Sequence, residues 1–141
     1  RSLGTAASFV GDVGKQNAGV MIDTLHFDRS ISDSAEIRRL PAEWFRFIQL
    51  CDAPAERPTN LDGLLFHARE ARGFPGQGRL DLTSVLRELP AGIPISLEIP
   101  NTALERVTTL GERVSAALVA TKAFLIEFDI RINDPPNLKS A

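Results

Sequence analysis

Apolar positions along this chain switch repeatedly between a helical spacing and a period of two. Leu3, Ala6, Ala7, Val10 and Val13 recur at helical spacing, so the chain is expected to open inside a helix. That helix should close within residues 15–19, with Asn17 or Gly19 as the turn residue. Residues 19–23 read as a strand, with Val20 and Ile22 on one side and Met21 and Asp23 on the other. A loop is expected over residues 24–30. A short helix over 33–40 follows, started by Ser32 or Asp33 and stopped by Pro41.

The second strand spans residues 44–52, with Ile48 and Leu50 on one face and Phe47, Gln49 and Cys51 on the other. Residues 53–78, rich in Pro, Gly, Arg and Glu, read as a long connection of the functional or disordered kind. Asp81 caps an expected helix over 81–89 that aligns Leu82, Val85, Leu86 and Leu89. In residues 93–100, Ile93, Ile95, Leu97 and Ile99 alternate with Pro94, Ser96 and Glu98, which predicts the third strand. Thr102 and Glu105 form a capping-box pattern. They predict one long helix with Leu104, Val107, Leu110, Val114, Leu118 and Leu125 in a stripe. Residues 129–141 read as a flexible or loosely docked tail.

Strand–helix alternation of this kind predicts an α/β fold with a parallel sheet, and three or four such units make part of a barrel. A complete eightfold barrel needs about 250 residues, so residues 1–128 cannot close one. The open edges are expected to pair with missing upstream sequence or with a second copy. The first residue, Arg1, is consistent with processing or with a fragment.

The 141 residues are 43% hydrophobic and 24% charged, ordinary for one domain. A net charge of −2 leaves no basic footprint for nucleic acid, and no apolar run suits a membrane span. The lone cysteine, Cys51, fits a reducing, cytoplasmic setting and is expected to be a packed thiol.

Each predicted strand ends on an oxygen-bearing side chain: Asp23, then Gln49 and Asp52, then Glu98. Strand ends converge at the mouth of a parallel barrel, and hard oxygen donors there suit Mg²⁺ or Mn²⁺. Each residue also has a plainer role. Asp23 can cap a turn, with His26 on the surface. Gln49 can bond loop backbone. Glu98 can pair with Arg72 or Arg79. Asp52 has the opposite parity to Gln49, so it is expected to cap the next loop or orient a neighbour. Arg72 precedes Gly-Phe-Pro-Gly-Gln-Gly78, where glycines let a ligand approach and Arg offers a fork of donors.

Four pieces together resemble the sugar phosphate isomerase/epimerase family, the xylose isomerase-like TIM barrels. They are Gly-Val-Met-Ile-Asp-Thr-Leu-His26, Phe-Ile-Gln-Leu-Cys-Asp52, Arg-Gly-Phe-Pro-Gly-Gln-Gly-Arg-Leu-Asp81 and Ile-Ser-Leu-Glu98. The resemblance covers residues 17–125 and implies the C-terminal part of a TIM barrel. It implies metal ligands at Asp23, Gln49 and Glu98, substrate contacts at His26 and Arg72, and proton transfer by Glu98. Gln49 stands where many members carry a histidine, although dehydratase-like members use Gln. A further metal-binding Glu belongs to an earlier strand that is absent here. The implied cofactor is Mn²⁺ or Mg²⁺, with Zn²⁺ or Co²⁺ as alternatives.

The implied activity is isomerisation or epimerisation of a sugar-like hydroxy-ketone. The runner-up is dehydration of a cyclic hydroxy-ketone such as 3-dehydroshikimate or an inosose. A non-catalytic half-barrel is the rival outside enzymes. The family's DNA-repair branch finds no support in two histidines and a negative net charge.

Overall fold

The computed structural model describes residues 2–130. Three strands, β1 (Val20–Asp23), β2 (Phe45–Leu50) and β3 (Ile95–Leu97), form one sheet in that order. Both pairs are parallel, with Asp23 beside Gln49 and Gln49 beside Ser96. Parallel neighbours require crossover connections, and helices supply them. The sheet is open at β1 and at β3, so the expected part-barrel of parallel strand–helix units is what forms.

Burial follows the predicted parity. Ile22, Ile48 and Leu50 are buried against the helical layer, while Met21 and Phe47 on the opposite face are 45% and 39% exposed. Burying a side chain such as Ile48 contributes about 1.5–3 kcal/mol relative to leaving it in water, which is what sets the strand register. The helical layer begins with α1 (Leu3–Val13), capped by the Ser2 hydroxyl and closed by Gly14 in the left-handed region at φ 59°. Gly14, not Asn17 or Gly19, is therefore the turn residue: its missing Cβ removes the left-handed penalty.

Three further expectations are corrected. Residues 24–30 contain a short helix, α2 (Thr24–Asp28), which Asp23 caps. The long connection contains α3 (Leu61–Glu70), capped by Asn60. The single helix predicted after Glu98 is two: α5 (Thr102–Glu105), capped by Asn101, and α6 (Leu110–Glu127). The reciprocal capping box of α6 is Thr109 with Glu112, and it starts a separate helix. Its buried residues are Ala117, Thr121, Phe124 and Leu125, whereas Val107, Leu110, Val114 and Leu118 of the predicted stripe are exposed.

The 33–40 prediction holds as a 3₁₀ helix, Ser34–Arg39, boxed by Asp33 and Glu36. Asp81 caps α4 (Leu82–Glu88) as expected. Of the predicted tail, residues 131–141 lie outside the described residues. Ile130 turns back to donate its N–H to the Leu125 carbonyl at 2.8 Å. Among the described residues, no helix is long and apolar enough to cross a membrane.

Candidate functional site

The C-terminal ends of the strands bring Asp23 to Arg72 and His26, and Gln49 to Glu98. Asp23 ends β1 and is buried. Its Oδ1 accepts the His26 backbone N–H at 3.0 Å, and its Oδ2 accepts an Arg72 guanidinium N–H at 2.6 Å. The plainer role of Asp23, a helix cap, is therefore real, and it coexists with a buried ion pair. Gln49 donates from Nε2 to Glu98 Oε2 at 3.4 Å, linking the tops of β2 and β3. The Glu98 carboxylate makes no ion pair among the described residues, with Arg72, Arg79 or any other base.

Arg72 is the hub of this cluster and only 4% exposed. Its Nε donates to the Ala68 carbonyl of α3 at 2.8 Å, and its Nη1 also lies 3.4 Å from the Glu98 carbonyl oxygen. Nη2 lies 3.5 Å from His26 Nε2. Burial opposes the guanidinium charge, but the hydrogen bond and charge of Asp23 outweigh it and hold Arg72 above its ordinary value. The Arg72 backbone is pinned as well: its N–H donates to Pro100 at 3.1 Å, and its carbonyl accepts Asn101 Nδ2 at 2.9 Å.

Cys51 is fully buried beneath the cluster. Burial pushes its thiol above the ordinary 9.0, against the opposing hydrogen bond from Thr24 and the charge of Arg72. The packed-thiol expectation fits this environment. Asp52, the residue of opposite parity, binds loop backbone. Its carboxylate accepts the N–H groups of Ala53, Gly76, Gly78 and Leu80 at 2.8–3.1 Å. It thereby shapes the turn that follows Arg72.

Two supporting residues escaped the sequence reading. The Thr24 hydroxyl donates to the Cys51 carbonyl at 2.8 Å and accepts the Cys51 N–H at 3.0 Å, which joins β1 to β2 beyond the ladder. Asn101 caps α5 while holding Arg72. The Asn-Thr pair at a strand end was the available signal, because Asn is a strong N-cap.

Asp23, Gln49 and Glu98 offer a carboxylate, an amide carbonyl and a second carboxylate. This all-oxygen donor set is of the kind that suits a hard divalent cation. The Gln49–Glu98 bond uses the amide nitrogen and leaves the carbonyl oxygen for another partner. Among the described residues, no cluster of three or more His, Cys, Asp or Glu forms a ready-made metal site.

Comparison with known proteins gives a consistent picture. The model of the xylose isomerase-like TIM barrel family matches residues 1–119. A 3-dehydroshikimate dehydratase of Pseudomonas putida is 36% identical over 86 residues, 59% of this chain and 13% of that protein. Another, from Pseudomonas aeruginosa, is 33% identical over 101 residues, 70% of this chain and 15% of that protein. The crystal structure of the IOLI protein with a bound zinc atom superposes with a TM-score of 0.76 at 22% identity. That match covers 90% of this chain and 44% of that one. The chain thus spans less than half the length of each of these proteins.

Proposed function

Since this chain belongs to the xylose isomerase-like TIM barrel family, we propose that it forms the proton-transferring part of a metal-dependent enzyme acting on a small, sugar-like hydroxy-ketone, and that the reaction is a dehydration. The observation that carries this is the Glu98 carboxylate: it stands at a strand end beside Gln49, with no ion pair among the described residues. The two relatives named 3-dehydroshikimate dehydratase, with Gln49 in place of a histidine, move the weight from isomerisation to loss of water.

In this reading Asp23, Gln49 and Glu98 would hold Mn²⁺ or Mg²⁺. The zinc of the IOLI protein supports a divalent ion while leaving its identity to experiment. The bound ion would polarise the substrate carbonyl and make the neighbouring C–H acidic. Glu98 takes that proton, and Gln49 orients its carboxylate. Glu98 then returns the proton to the departing β-hydroxyl, which leaves as water while the electron pair forms the new C=C bond. His26 and the Nη2 edge of Arg72 bind substrate oxygens. Returning the proton to carbon instead would epimerise or isomerise, so one geometry serves the whole family of outcomes.

The open sheet edges and the exposed Met21 and Phe47 support a partner made of further strand–helix units. They would come from a longer polypeptide or a second copy. The buried free thiol of Cys51 is compatible with a cytoplasmic setting.

The test is an assay of a polypeptide containing this segment with 3-dehydroshikimate and Mn²⁺. A rising absorbance from the conjugated product is expected. Interconversion of hydroxy-ketones without that absorbance would return the reading to isomerisation.

A further inference from the structure

We propose that Arg72 is the resident cation of this site, held by Asp23 until a divalent cation takes its place, and that the exchange turns the guanidinium towards substrate. The inference rests on the reading of Asp23 as a metal ligand and goes beyond it.

The first support is burial. The side chains of Arg72 and Asp23 are each 5% exposed, and their closest atoms are 2.6 Å apart. A carboxylate that deep needs a positive partner, because an unpaired buried charge is strongly destabilising. Arg72 supplies that partner. The second support is the distribution of donors. The Arg72 Nε bond to Ala68 at 2.8 Å is independent of Asp23 and can serve as a pivot. Nη1 is committed to Asp23, with longer contacts to the Glu98 carbonyl oxygen at 3.4 Å and the Cys51 sulfur at 3.6 Å. Nη2 has no partner closer than His26 Nε2 at 3.5 Å. The guanidinium therefore has one committed corner and one uncommitted corner, and the uncommitted one faces the residue read as a substrate contact.

The third support is electrostatic. Asp23 Oδ1 already accepts the His26 N–H and Oδ2 the Arg72 N–H, so a metal ion must share this one carboxylate with the guanidinium. Two cations on one buried carboxylate repel each other. A divalent ion therefore competes with Arg72 for Asp23, and its arrival releases Nη1. A substrate oxygen that binds the released Nη1 favours the same state as the metal ion, so the two tighten each other.

Mn²⁺ binding to a polypeptide that carries this segment together with the earlier barrel strands, measured by calorimetry, tests this with Arg72→Gln and Arg72→Lys variants, the fold of each checked by circular dichroism. Arg72→Gln removes the competitor and should bind Mn²⁺ roughly tenfold more tightly than the parent. Arg72→Lys keeps the charge and should stay within about threefold of the parent. If the parent binds Mn²⁺ and folded Arg72→Gln binds it equally or more weakly, the exchange is overturned while the metal reading survives. No binding by any of the three overturns the metal reading and the exchange with it. Should Arg72→Gln fail to fold, the parent decides. Saturation with Mg²⁺ should move the Arg72 guanidinium ¹⁵N–¹H resonances, and unmoved resonances on a Mg²⁺-bound chain overturn the proposal.

Discussion

The carboxylate of Asp52 receives the backbone N–H of Gly78 at 2.9 Å, and the two residues fit only in this pairing. A Cβ on Gly78 would overlap Asp52 Oδ1 and the Ala53 backbone. The same carboxylate holds the N–H groups of Ala53, Gly76 and Leu80. One acidic side chain therefore organises the whole turn behind Arg72.

Asp52→Asn replaces one acceptor oxygen with a donor that faces backbone N–H groups. Charge-assisted bonds of this kind are strong, and the loss should cost about 3 kcal/mol of stability. Gly78→Ala should be similarly damaging through overlap, by about 2 kcal/mol or more. Urea titrations of the variants against the parent measure both. A change below about 0.5 kcal/mol in either would mean that the turn has another anchor.

Much of this was legible in the sequence, and what was not has physical causes. Strand parity came through because Ile48 and Leu50 are buried while Phe47 and Gln49 face the open side. The polar strand ends came through for the same reason. Helix α3 was legible, because Asn60 caps it and Leu61, Leu64, Leu65 and Ala68 recur at helical spacing, but the Pro and Gly residues on either side drew the reading towards a loop. The break before α6 was hidden because Thr102 with Glu105 has the same spacing as the true box, Thr109 with Glu112. The Asp23–Arg72 pair joins residues 49 positions apart, and no local pattern encodes such a partner.

Glu98 is the one carboxylate at the strand ends that has neither a cap to make nor a base to pair with among the described residues. Glu98→Gln keeps its shape and removes its basicity. In a complete enzyme containing this segment, kcat should fall roughly 10³-fold, with the melting temperature little changed. Steady-state kinetics with the folded variant decide the point. Activity near the parent level would assign proton transfer to another residue.

Glu112 gives a pH dependence whose direction is fixed. Its carboxylate accepts the Thr109 N–H at 2.7 Å and the Thr109 hydroxyl at 2.8 Å, and these bonds hold it below its ordinary 4.5. A depressed carboxylate contributes stability above its unfolded value and loses it as pH falls through the folded one. The parent should therefore lose more stability than Glu112→Gln between about pH 5 and 3, and the two curves should converge at the acid end. Thermal melts across that range test this. Parallel curves would mean that the capping box contributes nothing through its charge.

The outer face of α6 leads to the last prediction. Leu110 is 68% exposed, and with Val114 and Leu118 it borders a groove whose other wall is Phe74, Leu97 and Ile99. The unpaired edge of β3 runs beside it, and Met21 and Phe47 stand open on the inner face of the sheet. An apolar helix face, a free parallel edge and an uncovered interior layer are all satisfied at once by further strand–helix units, because barrel strands cover both an edge and the interior layers. The chain alone should therefore self-associate or melt without a sharp transition. Leu110→Glu with Leu118→Glu should reduce that association by making the face polar. Sedimentation velocity beside thermal melts measures both effects. A monomer that melts cooperatively would mean that the groove and the edges are stable in water, and that no further barrel units are needed to cover them.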